Sequence, residues 1–157
     1  MDRAIVQFLK RHYSLRVGLS TAERLRIDIG SAYPLSEELT EEVSGADHIS
    51  GLARRISITS EEVRTALAEP LVQILEAVKE TLDDCSPDLS SDLVDQGLAL
   101  AGGGALLRGI DRYLAEQIGL PVRVCNDPLT AVARGTQLCT EHFSRWRTWL
   151  KSSDDAI

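Results

Sequence analysis

The stretch Leu98-Ala-Leu-Ala-Gly-Gly-Gly-Ala-Leu-Leu-Arg-Gly109 decides the fold. Its first four residues, Leu98 to Ala101, are apolar and predict a short buried strand. Three glycines follow at once. A helical spacing then begins, with Leu106, Leu107, Ile110, Leu114 and Ile118 recurring at three- and four-residue steps, which predicts a helix from Leu107 to Ile118. Strand, glycine turn and helix start together suit an anion or nucleotide. Glycines let a ligand approach the backbone, and a helix N-terminus offers unpaired N–H groups and positive dipole. The same pattern also fits a tight strand-to-helix turn with no ligand. It is neither a Walker loop nor a dinucleotide fingerprint, because Gly-Lys-Ser/Thr and a spaced G-x-G-x-x-G are both missing.

Working towards the N-terminus, the apolar run before the strand is helical. Thr59-Ser60-Glu61-Glu62 forms a capping box, and Val63, Ala66, Leu67, Leu71, Ile74, Leu75, Val78 and Leu82 share one face. Pro70 interrupts this run and predicts a kink or lobe boundary, because proline removes a helix hydrogen bond and restricts Glu69 before it. Upstream, Glu37 to Ser44 and Arg54 to Thr59 predict a β-hairpin, with acidic residues on the first strand facing Arg54 and Arg55 on the second. Ser20-Thr21-Ala22-Glu23 reads as another capping box, opening a helix from Thr21 to Ile29 that ends at Gly30. Arg26 on that helix is either solvated or suited to lie flat against a planar ligand. Asp2 to Tyr13 predicts the first helix, with a basic last turn.

Towards the C-terminus, Ser86-Pro87 restarts the chain and Asp88 to Asp95 predicts a short helix. Pro121 to Cys125 predicts a second short strand. Asp127 as N-cap and Pro128 at the first helical position predict a last helix from Leu129 to Leu150. Phe143, Trp146, Trp149 and Leu150, interleaved with basic residues, fit either packing or a membrane surface. Residues 151–157 are expected to be a disordered tail.

The totals narrow the function. A chain of 157 residues with net charge −7 is unsuited to non-specific nucleic-acid binding, and aromatics at 4% supply no base-stacking platform. Three scattered cysteines (Cys85, Cys125, Cys139) and three scattered histidines suggest neither a disulfide framework nor a metal centre, and a reducing, cytoplasmic setting follows.

Ala101-Gly-Gly-Gly-Ala-Leu-Leu-Arg-Gly109 resembles the adenosine-binding motif of the actin and heat-shock-chaperone ATPase superfamily, and within it the MreB-type bacterial actins. The resemblance continues through Pro121-Val-Arg-Val124 and Asp127-Pro-Leu-Thr-Ala-Val-Ala-Arg-Gly-Thr136. It extends back to Thr21-Ala-Glu-Arg-Leu-Arg-Ile-Asp-Ile-Gly30 and Asp2-Arg-Ala-Ile5. It implies an α/β fold: an α+β lobe plus a partial ribonuclease-H-like core, corresponding to the C-terminal half of an actin-like ATPase. Residues 1–69 would be the small nucleotide-flanking lobe, subdomain IIB, and residues 70–150 the core lobe, subdomain IIA.

By the same resemblance, ATP (with Mg in the intact family) is the expected cofactor. Glu23, Arg24, Leu25 and Arg26 would line adenine and ribose, and Gly102, Gly103, Gly104, Ala105 and Leu106 would back the adenosine. The family commonly has Lys where Arg26 stands and Thr where Ala101 stands. Its phosphate loops and catalytic carboxylate match no residue here, so catalytic residues are not expected and hydrolysis by this chain alone is not implied. The strands missing with them would leave the Leu98–Ala101 strand with an exposed edge.

The implied role is a cell-shape cytoskeletal filament protein, self-associating or joining an intact filament, in the cytoplasm and at the inner face of the membrane. Two other readings stand beside it: a non-enzymatic module binding a full-length filament, and a non-functional gene remnant.

Overall fold

The computed structural model describes residues 1–147. Helix α1 (Asp2–Tyr13) buries Ile5 and Leu9, places Asp2 in its first turn and Lys10, Arg11 and His12 in its last. Both ends therefore suit the helix dipole. Ser14, in the left-handed region at φ 51°, closes it by donating its N–H to Leu9 O. Phe8 stacks on His12 at 4.3 Å, so that histidine has an aromatic neighbour as well as solvent.

The chain then forms β1 (Leu15–Arg16), helix α2 (Leu19–Ile29), and the hairpin β2 (Thr40–Asp47) and β3 (Ala53–Thr59). The sheet is antiparallel in the order β1-β2-β3, with Thr40 opposite Thr59 and Ala46 opposite Ala53. The first strand begins at Thr40, three residues beyond the expected start, because Glu37 and Glu38 belong to the preceding loop. Arg55 reaches Glu42 at 3.2 Å, which is the anticipated cross-strand pairing, but Glu38 instead meets Arg64 at 2.6 Å. The two-residue strand β1 was too short for any period to announce it.

Helix α3 (Ser60–Asp83) opens with the expected capping box. Thr59 accepts from Glu62 N, and Glu62 accepts from Thr59 N at 2.9 Å. Pro70 lies inside this helix and does not end it. The cost of the lost hydrogen bond is offset by a continuous apolar face: Val63, Leu67, Leu71 and Leu75 are all buried in one core. That core also takes Ile5, Leu9, Leu25, Ile29, Val43 and Ile58 from before the proline, and Leu107, Ile110 and Leu114 from well after it.

Helix α4 (Pro87–Gln96) follows Ser86, whose hydroxyl caps it. Strands β4 (Leu98–Leu100) and β5 (Val122–Val124) pair in parallel, and helix α5 (Ile110–Ile118) lies between them in sequence. The last helix differs from expectation. Asp127 sits at φ 51° and accepts a hydrogen bond from Thr130 Oγ1, so the turn extends and Pro128 precedes the helix. Helix α6 (Ala131–Glu141) starts with Thr130 as N-cap, and the non-helical backbone of His142 separates it from α7 (Phe143–Trp146). Trp149, Leu150 and the expected tail lie outside the described residues.

Candidate functional site

Helix α2 starts earlier than the sequence suggested. Gly18, extended at φ −80° and ψ 164°, is its N-cap and accepts from Ala22 N at 3.2 Å. Ser20 is thereby inside the first turn and makes no cap bond, so the anticipated box with Glu23 does not form. Glu23 is left free of a capping duty. Gly30 ends the helix through its N–H to Arg26 O, but at φ −67° rather than in the left-handed region.

The glycine stretch also departs from a simple strand-turn-helix. Gly102 takes φ 82°, and a short 3₁₀ turn (Gly103–Leu106) comes next. Leu107 is extended, Gly109 takes φ 70°, and only then does α5 begin. The first turn of α5 abuts Tyr33: a Cβ on Gly109 would stand 2.6 Å from the Tyr33 Cβ. The glycine stretch and the α5 N-terminus are thus separated by the 3₁₀ turn and by Leu107 to Gly109, not joined directly as the spacing suggested.

Gly103, Gly104, Leu106 and Leu107 line a cleft of about 490 Å³, together with Leu129 and with Met1, Asp2, Glu23, Arg26 and Ile27. Of the nine residues singled out in sequence, five meet here: Glu23, Arg26, Gly103, Gly104 and Leu106. Four do not. Leu25 is fully buried in the core, and Arg24 points to Asp28 at 4.0 Å. Ala105 is 6% exposed, and Gly102 supplies the turn that precedes the cleft. Met1, Asp2, Ile27, Leu107 and Leu129 were not anticipated as lining. Asp2 belongs to the Asp2-Arg-Ala-Ile5 stretch that carries the resemblance, but nothing in the sequence ties it to Arg26.

The polar wall is an ionic cluster. Arg26 Nε donates to Asp2 Oδ1 at 2.6 Å, and its Nη2 lies 3.8 Å from Glu23 Oε1. The glycine wall is different in kind. Neither Gly103 nor Gly104 has a positive φ. A Cβ on Gly104 would meet nothing within 4 Å, and one on Gly103 only the Leu129 side chain at 3.4 Å. Their N–H groups donate to no protein acceptor among the described residues.

Arg108 fixes the two walls together. Its Nη1 donates to Ile27 O at 2.9 Å and to Gly30 O at 3.3 Å, capping α2, while its backbone carbonyl accepts from Ala32 N at 2.8 Å. Behind this seam, Arg64 donates to Ser31 Oγ and Glu38. The Arg64 guanidinium and the Ser60 hydroxyl hold the Glu38 carboxyl below its ordinary pKa.

This architecture has known counterparts. A profile of the family described as "MreB/Mbl protein" matches residues 1–148. The chain belongs to the MreB/Mbl family. It is 47% identical over 134 residues to the cell shape-determining protein MreB of Escherichia coli (strain K12), covering 85% of this chain and 39% of that protein. It is 38% identical over 144 residues to the cell shape-determining protein Mbl of Bacillus subtilis (strain 168), covering 92% and 43%. The chain thus spans about two fifths of the length of these MreB/Mbl relatives.

Among solved structures, MreB5 of Spiroplasma citri bound to ADP superposes with a TM-score of 0.87 at 32% identity, over 90% of this chain and 43% of that one. A MamK double helical filament, at 21% identity and a TM-score of 0.74, shares the fold, over 90% of this chain and 43% of that one. The mixed α/β architecture is therefore that of an actin-like MreB/Mbl protein. No helix of the described residues is long and apolar enough to cross a membrane.

Proposed function

We propose that the cleft is the adenosine side of a nucleotide site, in a protein whose nucleotide-dependent filaments act in determining cell shape. One observation carries this reading. Gly103 and Gly104 lie on the cleft wall, yet neither backbone angle nor packing demands glycine there. What the missing side chains keep clear is space for a ligand, beside two N–H groups without a protein acceptor among the described residues. The Spiroplasma citri relative is described as bound to ADP, and a second structure of it as bound to AMPPNP.

ATP fits this wall by its nucleoside: Glu23 and Arg26 offer hydrogen-bonding groups to ribose and base, and the glycine backbone offers close approach. A magnesium ion does not fit these residues, because both cleft carboxylates, Asp2 and Glu23, face Arg26. Phosphoryl transfer needs clamped phosphates and an oriented water. We assign neither to the 157 residues, and expect them by themselves to bind nucleotide weakly without turnover. Calorimetric titration of the chain with ADP checks this. Saturable binding is expected, and ATP hydrolysis at the rate of an intact MreB would contradict it.

A second reading, a module that joins a filament without using nucleotide, is favoured by an edge of β4 that pairs with no strand among the described residues. Leu98 N donates to Pro121 O and Leu100 O accepts from Cys125 N, so the Ala99 N–H and C=O turn away from β5. Helix α6 buries none of its residues, and Phe143 and Trp146 continue its exposed apolar face. That face suits a filament neighbour or the inner surface of the cell membrane, in a cytoplasmic protein. Sedimentation with Escherichia coli MreB separates the readings: co-pelleting that ignores nucleotide favours the module.

A further inference from the structure

The ionic cluster in the cleft has a composition that a phosphate clamp would not have. Side chains that clamp a phosphate bring surplus positive charge to it. Here one guanidinium stands between two carboxylates, so the cleft's side chains carry two negative charges against one positive. The contacts are unequal. Asp2 receives a short, charge-assisted hydrogen bond from Nε at 2.6 Å, whereas Glu23 lies 3.8 Å from Nη2, beyond hydrogen-bond reach. The Arg26 side chain is only 16% exposed and that of Asp2 31%, so their pairing is shielded more than a surface ion pair. Fixing Nε fixes the plane of the whole guanidinium, because the group is rigid and flat.

We propose that Asp2 is a positioning residue of the cleft: it locks Arg26 in one plane and neutralises its charge, so that Arg26 recognises the uncharged nucleoside and not the phosphates. This rests on the nucleotide reading above and adds to it a residue and a specificity. Asp2 also stands in the first turn of α1, where a carboxylate stabilises the helix whether or not Arg26 is present. The test must therefore read something that helix stability does not move.

That quantity is the ratio of ATP to adenosine affinity, measured without divalent metal at low ionic strength. In Asp2→Asn the Arg26 charge is released, and the ratio rises by roughly threefold or more, the weight of a partly exposed charge pair. The rise shrinks at high salt, as screening requires. Asp2→Glu restores the original ratio. Arg26→Gln weakens adenosine and ATP by the same factor. An unchanged ratio in Asp2→Asn overturns the proposal, as does an Arg26→Gln loss about tenfold greater for ATP than for adenosine. If both ligands bind and the ratio stays fixed, only this inference falls; if neither binds, the nucleotide reading falls and takes it along. A ligand-free measurement stands beside these. The Arg26 Nε–H should exchange slowly with solvent in the original chain and quickly in Asp2→Asn, and equal exchange in the two contradicts the lock.

Discussion

The residues before Pro70 and those after Leu114 are built in opposite ways. In the first region every element contributes to one core: Ile5 and Leu9 from α1, Leu15 from β1, Leu25 and Ile29 from α2, Val43 and Ile58 from the hairpin, Val63 and Leu67 from α3. After Leu114 no described residue is buried, and Val132 and Leu138 of α6 are more than half exposed. The same kinds of residue, at similar helical spacing, are core in one region and surface in the other. Amphipathic spacing specifies which face of a helix is apolar. It does not supply the surface that covers that face.

The largest effects should break this symmetry of sequence. Leu67→Ala removes a fully buried side chain, and about 2–5 kcal/mol of unfolding free energy should go with it. Leu138→Ala, the same substitution on α6, should stay within about 0.5 kcal/mol. Urea denaturation measures both, and equal losses would show that α6 is packed as well as α3.

Next come the glycines. Gly109→Ala places a side chain at φ 70°, against Tyr33, and should cost on the order of 1–3 kcal/mol from backbone strain alone. Gly104→Ala should leave stability within about 0.5 kcal/mol, yet weaken nucleotide binding, because its Cβ enters the cleft. A stability loss at Gly104 matching that at Gly109 would remove the ligand-based reason for glycine there.

A smaller, pH-dependent effect belongs to the well-packed region. Burial pushes the Glu62 carboxyl up, but hydrogen bonds from Tyr13 and Thr59 outweigh it and hold its pKa below the ordinary value. A carboxyl depressed in the folded state stabilises the protein above its unfolded pKa. That contribution is lost as pH falls through the folded pKa. The stability of the chain should therefore decline in acid below about pH 4.5, and Glu62→Gln should flatten that decline. Smallest of all, Arg24→Ala removes an exposed pair with Asp28 at 4.0 Å and should change stability by about 0.3–0.5 kcal/mol, with nucleotide binding untouched.

Much of this was legible in the chain, for identifiable reasons. The apolar faces of α1, α3 and α5 obey helical spacing, and the Thr59 box marks where α3 begins. The hairpin showed through two short strand patterns with acidic residues on the first and Arg54 and Arg55 on the second. Where prediction slipped, a local signal met a stronger tertiary one. Pro70 predicted a kink or lobe boundary, yet α3 runs on through it and its face from Val63 to Leu75 is buried on both sides. Ser20 looked like a cap, but Gly18 starts the helix first and frees Glu23. Triple glycine before an apolar helix suggested a direct strand-turn-helix, whereas a 3₁₀ turn intervenes and α5 starts only after Gly109 at φ 70°. In the cleft, Glu23, Arg26, Gly103, Gly104 and Leu106 are residues that the resemblance led one to expect there. Asp2 shares in the same resemblance without an implied role, because nothing in linear order tells that residue 2 meets residue 26.

The most direct test is amide NMR of the chain titrated with ADP. The account predicts that the largest shift changes fall on Gly103, Gly104, Glu23 and Arg26, with α6 unmoved. Shifts confined to α6 or β4, or none at saturating ADP, would contradict the assignment of this cleft to a nucleotide.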